Sequence, residues 1–266
     1  MIDVDKVAAL VRETAESVIV PRFRRLRPDE IREKKPGDFV TVADLEMERL
    51  LTRELPAMAP GSVVLGEEAV ANDASRMAVL AEPSPVWVID PVDGTGNFAR
   101  GEPGFGVILA LIERGALCAG WIYDPLARAM VTAEAGGGAW SDGKRLAVDA
   151  GAKAAEMVGA AYGRTAAGAR AGKALAESGR IAGVKNLGCS ALEYSAIAEG
   201  RAHFSLHSRS LPWDHAAGIL IVREAGGRAG FFDNSPYDPG IPDRPVLAAA
   251  SDGAWAVVHE VVGRLK

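Results

Sequence analysis

The segment that most constrains this chain is VWVIDPVDGTGNF, residues 86–98, in which an apolar run leads directly into two carboxylates. The run before Asp90 is rich in β-branched and aromatic residues, which predicts a buried strand. We expect the strand to deliver Asp90 at its carboxyl end, where open sheets usually place ligand sites, and Pro91 to stiffen the turn that follows. Asp93 comes three residues after Asp90, so the two carboxylates are predicted to lie together.

A carboxylate pair on a turn is suited to hard divalent cations, and Mg²⁺ commonly combines few carboxylates with the oxygens of a substrate phosphate. The backbone N–H groups of Gly94 and Thr95, at a predicted helix start, are suited to holding an anion. An ordinary strand-to-helix turn capped by aspartate explains the same residues, because short motifs often match by chance.

Further acidic residues stand at similar junctions. Glu67 and Glu68 follow a short predicted strand, and Asp44 and Asp214 lie at the starts of predicted helices. Each has a simpler interpretation: Thr41 and Asp44 resemble a capping box, Asp214 can be a helix cap, and Glu68 can be solvated. Together, however, converging carboxylates would repel one another unless cations neutralised them. Two metal ions would remove that cost and would lower the pKa of a bound water.

Composition excludes several other classes of protein. The chain has 266 residues, of which 48% are hydrophobic and 24% charged, as in ordinary globular proteins. The net charge of −5 and the lack of a dense basic stripe disfavour nucleic-acid binding, and no apolar run is long enough to span a membrane. Cys118 and Cys189 are too few for a disulfide framework, so we expect buried thiols in a reducing cytoplasm.

The pattern of predicted elements changes along the chain. Residues 1–140 are predicted to form an N-terminal α+β half that contains an antiparallel meander and most of the metal ligands. Residues 141–266 alternate helices and short strands and are predicted to form a C-terminal α/β half that supplies Asp214 and the substrate contacts. The sequence therefore indicates mixed layers of α and β structure.

Four motifs occur in a specific order: DFVTVAD (38–44), GEE (66–68), DPVDGTGNF (90–98) and PWDHAAG (212–218). With them, the chain resembles the inositol monophosphatase family over essentially its whole length, and the GCSALEY segment at 188–194 also matches. The resemblance implies a layered αβαβα sandwich, a homodimer, and a lithium-sensitive phosphatase that uses two to three Mg²⁺ ions.

The resemblance also implies roles for individual residues. Metal ligands would come from four acidic side chains and one carbonyl group, namely Glu67, Asp90, Asp93, Asp214 and the carbonyl of Val92. Thr95, hydrogen-bonded to Asp44, would orient the nucleophilic water. The N–H groups of Gly94 and Thr95 would bind phosphate oxygens.

The substrate is less well defined than the reaction. In animal-type members a glutamate seven residues before the third-motif aspartate contacts inositol hydroxyls, and here that position is His207, either a surface histidine or a substrate contact. We therefore expect a small phosphate ester such as inositol 1-phosphate, with histidinol phosphate or another sugar or nucleotide phosphate as alternatives. A regulatory binding protein on the same fold is the alternative of a different class. Lys34 and Arg209 can contact phosphate or substrate, although solvated positions are the simpler interpretation.

Overall fold

The computed structural model describes residues 2–162 and 166–265 of the chain. Helix α1 spans Val4–Val18 and helix α2 spans Val42–Met58, and between them lies a hairpin of β1 (Ile31–Lys35) and β2 (Asp38–Thr41). The predicted capping box at the start of α2 is confirmed. The N–H of Thr41 donates to Asp44 Oδ2 at 2.9 Å, and Thr41 Oγ1 accepts from the N–H of Ala43 at 3.2 Å.

The first half of the chain builds a seven-stranded sheet whose strands follow one another in sequence order, within the described residues. These strands are β3 (Val63–Gly66), β4 (Val86–Asp93), β5 (Gly106–Glu113), β6 (Ala116–Asp124), β7 (Ala129–Glu134), β8 (Gly138–Ser141) and β9 (Lys144–Arg145). β3 and β4 are parallel, and the later pairs are antiparallel, which confirms the predicted meander. Two short helices follow the parallel strands: α3 (Glu67–Asn72) after β3 and α4 (Thr95–Ala99) after β4.

The end of β4 differs from the expected turn. The strand continues through Asp90 to Asp93, and every residue in it is buried. Its pairing with β5 shifts in register between Asp90 and Asp93. Pro91 has no N–H to give to a ladder, and a bulge is where a sheet tolerates such a residue. Both carboxylates therefore project from one bulged strand, whereas the sequence predicts a turn after Asp90.

The second half of the chain forms a five-stranded sheet of order β11-β10-β12-β14-β13 in the described residues. Its strands are β10 (Val158–Tyr162), β11 (Gly183–Val184), β12 (Phe204–His207), β13 (Arg228–Phe231) and β14 (Val246–Ala249). The accompanying helices are α5 (Ala166–Glu177), α6 (Ser190–Ala198), α7 (Pro212–Glu224) and α8 (Asp252–Val262). The boundary expected near residue 140 between two halves stays a prediction.

Side-chain alternation along the strands explains the layers. In β4, Trp87 and Ile89 pack with α1 and α2, whereas Val86 and Val88 on the opposite face pack with α6 and α7. The other side of α6 and α7 meets the five-stranded sheet, and α5 and α8 cover that sheet's outer face. The order of layers is helices, sheet, helices, sheet, helices, so the expected αβαβα sandwich is confirmed.

Helix α7 lies in the middle layer, and its residues from Trp213 to Val222 are buried except Asp214, which is partly exposed. A helix in this position has to be apolar around most of its circumference because both of its sides face a sheet. Its N-terminal turn opens toward the carboxyl ends of β3 and β4 and so brings Asp214 toward the acidic residues of the first sheet. Among residues 2–162 and 166–265, no helix has the length and apolarity needed to cross a membrane.

Candidate metal centre

Three carboxylates from three separate elements meet at one point. Glu67 is the first residue of α3, Asp90 lies near the end of β4, and Asp214 is in the first turn of α7. Each offers a carboxylate oxygen, and these oxygens lie within 4.8 Å of one another. The parallel register of β3 and β4, which pairs Gly66 with Ile89, puts the residues after β3 beside Asp90.

Solvent does not compensate the negative charge of Asp90, because Asp90 is only 2% exposed. Burial, and then the charges of Glu67 and Asp93, raise the pKa of Asp90 well above its usual range. A buried carboxylate that lies close to other negative charges either takes up a proton or binds a cation. Oxygen ligands of this kind fit a hard divalent cation such as Mg²⁺.

Asp93 lies beside the trio in the same cavity but is fixed by a different element. Its Oδ2 atom accepts hydrogen bonds from the N–H of Ala191 at 2.6 Å, from Ser190 Oγ at 3.1 Å and from Cys189 Sγ at 3.1 Å. All three donors belong to the N-terminus of α6, where backbone N–H groups lack partners within the helix. Burial nevertheless raises the pKa of Asp93 to about 6. The end of β4 is thus tied to the middle layer of helices.

Asp44 and Thr95 are hydrogen-bonded, although they belong to different elements. Thr95 Oγ1 lies 3.0 Å from Asp44 Oδ1 and 2.7 Å from the carbonyl oxygen of Val92. Asp44 is 1% exposed, and burial raises its pKa to about 7 despite the hydrogen bonds from Thr41. Asp44 therefore does both things that the sequence allowed, because one oxygen caps α2 and the other holds Thr95.

The turn after Asp93 depends on Gly94. This residue has φ of +82°, in the left-handed region, and a Cβ there would lie 2.4 Å from the carbonyl oxygen of Gly104. Any side chain at Gly94 would therefore displace the chain that leads into β5. The close approach brings the backbone of Gly94 and Thr95 to the wall of the cavity.

Lys34 reaches the acidic cluster from β1, where a solvated position had been expected. Its Nζ atom lies 3.0 Å from Glu67 Oε1 and 2.8 Å from Glu68 Oε1, and its side chain is 13% exposed. Burial alone would lower the pKa of Lys34, but the two carboxylates outweigh it and raise that pKa. The interpretation of Glu68 as a solvated residue was wrong as well, since Glu68 is buried and burial raises its pKa to about 7.

His207, at the end of β12, is 6% exposed, so its interpretation as a surface residue was wrong. Its Nε2 lies 2.6 Å from Ser205 Oγ, which in turn lies 2.9 Å from Glu193 Oε2. Burial lowers the pKa of His207 to about 4 and raises that of Glu193 to about 7. The imidazole is thus neutral at pH 7. Sequence reasoning missed Glu193, whose one indication was a carboxylate inside the otherwise small and apolar segment GCSALEY.

The acidic cluster and the His207 wall line one cavity of about 730 Å³. The residues that the sequence singled out as site candidates contribute to it, except Asp44, which lies behind Thr95, and Glu68, which pairs with Lys34. Arg209 is also in the lining, and its Nε donates to Asp243 Oδ1 at 2.9 Å. Cys189 is buried as expected, whereas Cys118 is only partly buried. The cavity has the size of a small-molecule site, and its lining includes charged and polar groups.

Comparison with known proteins agrees with this arrangement. The profile of the inositol monophosphatase family matches residues 3–262. An inositol-1-monophosphatase of Mesorhizobium japonicum is 38% identical over 200 residues, which are 73% of this chain and 72% of that protein. The Nus factor SuhB of Xylella fastidiosa is 30% identical over 221 residues, which are 80% of this chain and 76% of that protein. Among solved structures, the IMPase of Thermotoga maritima has a TM-score of 0.82 at 28% identity and covers 98% of both chains.

Proposed function

The chain belongs to the inositol monophosphatase family, and from that premise we propose that it hydrolyses a small phosphate monoester, such as inositol 1-phosphate, with Mg²⁺ as cofactor. Membership makes the chain a phosphatase, that is, a phosphoric monoester hydrolase. The observation that carries the finer proposal is the convergence of Glu67, Asp90 and Asp214 within 4.8 Å. Such a cluster is costly in an apolar surrounding unless cations occupy it.

We propose that this donor set holds two to three Mg²⁺ ions. The proposed ligands are all oxygen donors, from Glu67, Asp90, Asp93, Asp214 and the carbonyl of Val92. Mg²⁺ accepts carboxylate and carbonyl oxygens and keeps positions open for water and phosphate. When bound, such ions polarise the phosphoryl group and lower the pKa of a coordinated water.

Thr95 and Asp44 have the geometry to orient the attacking water. Asp44 accepts the hydroxyl hydrogen of Thr95 or shares it with the carbonyl of Val92, and either arrangement fixes the Thr95 rotamer. A fixed hydroxyl oxygen presents a lone pair to a water that approaches the phosphorus. Such positioning of a nucleophile supplies a large share of the rate in phosphoryl transfer. The N–H groups of Gly94 and Thr95 are the proposed donors to the phosphate oxygens.

The alcohol part of the substrate is proposed to lie against His207. A neutral imidazole hydrogen-bonded to Ser205 offers one ring nitrogen to a hydroxyl group, whereas a carboxylate at this position would accept from two hydroxyl groups. This difference keeps histidinol phosphate and other sugar or nucleotide phosphates as alternatives to inositol phosphate. The Glu193 carboxylate behind Ser205 adds a polar group to the same wall.

The test is phosphate release from a panel of inositol, histidinol, sugar and nucleotide phosphates, measured in Mg²⁺ and in EDTA. We expect phosphate release in Mg²⁺ and no release in EDTA. The same panel with His207→Glu is expected to change the ranking of the esters in favour of inositol phosphate. An unchanged ranking would show that His207 does not select the substrate. The proposed reaction class would be unaffected by that result.

A regulatory binding role on the same fold is the second candidate, because the Xylella fastidiosa relative bears the name Nus factor SuhB. The clustered carboxylates of this chain support catalysis, and a binding role can coexist with that activity. If no ester in the panel releases phosphate in Mg²⁺, the second candidate becomes the better one.

We propose a cytoplasmic location and a homodimer as well. Cys118 and Cys189 are both free thiols, which suits a reducing compartment. The homodimer is proposed from the resemblance to the family alone, and sedimentation velocity of the purified chain tests it.

A further inference from the structure

Glu67 occupies the first turn of α3, a helix of only six residues that cannot hold its own end in place. The residue before it, Gly66, has no side chain with which to cap the helix. We propose that Glu48, which lies on α2, positions Glu67 for metal binding by capping this turn. The inference rests on the proposed function, since it takes Glu67 to be a metal ligand.

The contacts of Glu48 are those of a cap supplied from outside the helix. Its Oε2 atom accepts from the N–H of Glu68 at 2.9 Å, and its Oε1 atom accepts from the N–H of Ala69 at 2.9 Å. These are the second and third residues of α3, whose N–H groups have no partner within the helix. Both oxygens of one carboxylate are therefore committed to the turn that carries Glu67.

Gly66 makes room for this contact. A Cβ at Gly66 would lie 2.1 Å from Glu48 Cδ and 2.3 Å from Glu48 Oε2. No side chain fits in that space without moving the carboxylate. The glycine of the GEE motif and Glu48 are thus a matched pair, in which the missing side chain of one admits the carboxylate of the other.

Helix α2 contacts two sides of the metal centre, one through Glu48 and the other through Asp44. The two lie four positions apart, on one face of the helix, and they are 8% and 1% exposed. Asp44 holds Thr95 after β4, and Glu48 holds the turn of Glu67 after β3. One rigid helix therefore fixes the distance between the Glu67 side and the Thr95 side of the site.

Glu48→Gln replaces one accepting oxygen with an NH₂ group that faces an N–H donor, so one of the two capping bonds is lost. Groups that orient metal ligands typically contribute about 10–100-fold to metal affinity. We therefore expect the variant to bind Mn²⁺ roughly 10–100-fold more weakly than the wild type, measured by electron paramagnetic resonance of free Mn²⁺. Glu54→Gln is the matched control, because Glu54 lies on the same helix, is 42% exposed and pairs with Arg53. Its Mn²⁺ affinity is expected to equal that of the wild type.

Gly66→Ala is the second variant, since it disturbs the same contact without changing any charge, and it is expected to weaken Mn²⁺ binding in the same direction. Unfolding in EDTA is measured for every variant. If both variants are less stable in EDTA but bind Mn²⁺ as tightly as the wild type, Glu48 is a structural cap only and the inference is overturned. If the wild type binds no Mn²⁺, the proposed metal site itself fails, and the inference fails with it.

Discussion

Asp90→Asn should make the metal-free protein more stable and should abolish the stabilisation of the folded state by Mg²⁺. Asp90 is buried and shares the trio with Glu67 and Asp214, with oxygens at most 4.8 Å apart. At that distance and an effective dielectric constant of about 20, two ionised carboxylates repel by roughly 3.5 kcal/mol. The asparagine keeps the oxygen that accepts from the N–H of Val92 at 3.1 Å, so the substitution removes charge with little change in shape.

The net gain in the free energy of unfolding is smaller than the repulsion between these carboxylate pairs. Asp90 relieves part of the repulsion by taking up a proton, and Lys34 offsets part of the charge on Glu67. We therefore expect a gain of about 2 kcal/mol at pH 8 in EDTA, or roughly 4–8 °C in Tm for a chain of this size. In saturating Mg²⁺ the order reverses, because ligand at about 100 times its Kd stabilises the wild type by about 2.7 kcal/mol.

The pH dependence gives the sign of the effect. The folded pKa of Asp90 is raised above the value in the unfolded chain, so the folded state binds the extra proton. The contribution of Asp90 to the stability of the metal-free wild type is therefore fully present below the unfolded pKa and is lost as the pH rises through the folded pKa. The advantage of Asp90→Asn should disappear as the pH approaches about 4, the ordinary pKa of an aspartate. Urea denaturation at pH 8 and pH 4 in EDTA checks this, and a variant no more stable than wild type at pH 8 would refute the reasoning.

Three further predictions concern other residues of the site. Asp93→Asn should lower kcat by about a hundredfold or more while the fold persists, measured by phosphate release and circular dichroism; unaltered turnover would place the site elsewhere. Thr95→Val should lower kcat by roughly a hundredfold with Mn²⁺ affinity unchanged, and a loss confined to KM would contradict its role toward the water. Lys34→Met leaves the buried Glu68 and the partly buried Glu67 without their cation, so stability in EDTA should fall by about 3 kcal/mol. That deficit should narrow in Mg²⁺, and a deficit independent of Mg²⁺ would mean that Lys34 and the metal act on different groups.

The parts of the fold that depend on local pattern could be predicted from the sequence. The apolar run of β4, the capping box of α2 and the turn pairs of the meander each depend on neighbouring residues alone. The acidic motifs were also visible, because each follows a strand or begins a helix. Spacing along the chain contains no record of the parallel register of β3 and β4, however, and that register is what places Glu67 beside Asp90.

The errors came from contacts between residues far apart in sequence. Lys34 lies on a hairpin strand with mostly exposed residues, yet its side chain reaches carboxylates 33 and 34 positions later. His207 ends a strand, where polar residues are usually solvated, but Tyr194 of α6 stacks on its ring and His215 of α7 packs against it at a tilt. Burial of this kind depends on how layers close over a strand end, which periodicity does not encode. The roles of the individual site residues stay predictions.

Hydrolysis in ¹⁸O-labelled water tests the central claim most directly, because it asks whether a water attacks phosphorus in a metal-dependent step. The substrate is inositol 1-phosphate or the best ester of the panel, and the products are analysed by mass spectrometry. The proposed reaction predicts one ¹⁸O in the released phosphate, none in the alcohol, and no release in EDTA. Label in the alcohol, or equal release in EDTA, would contradict it.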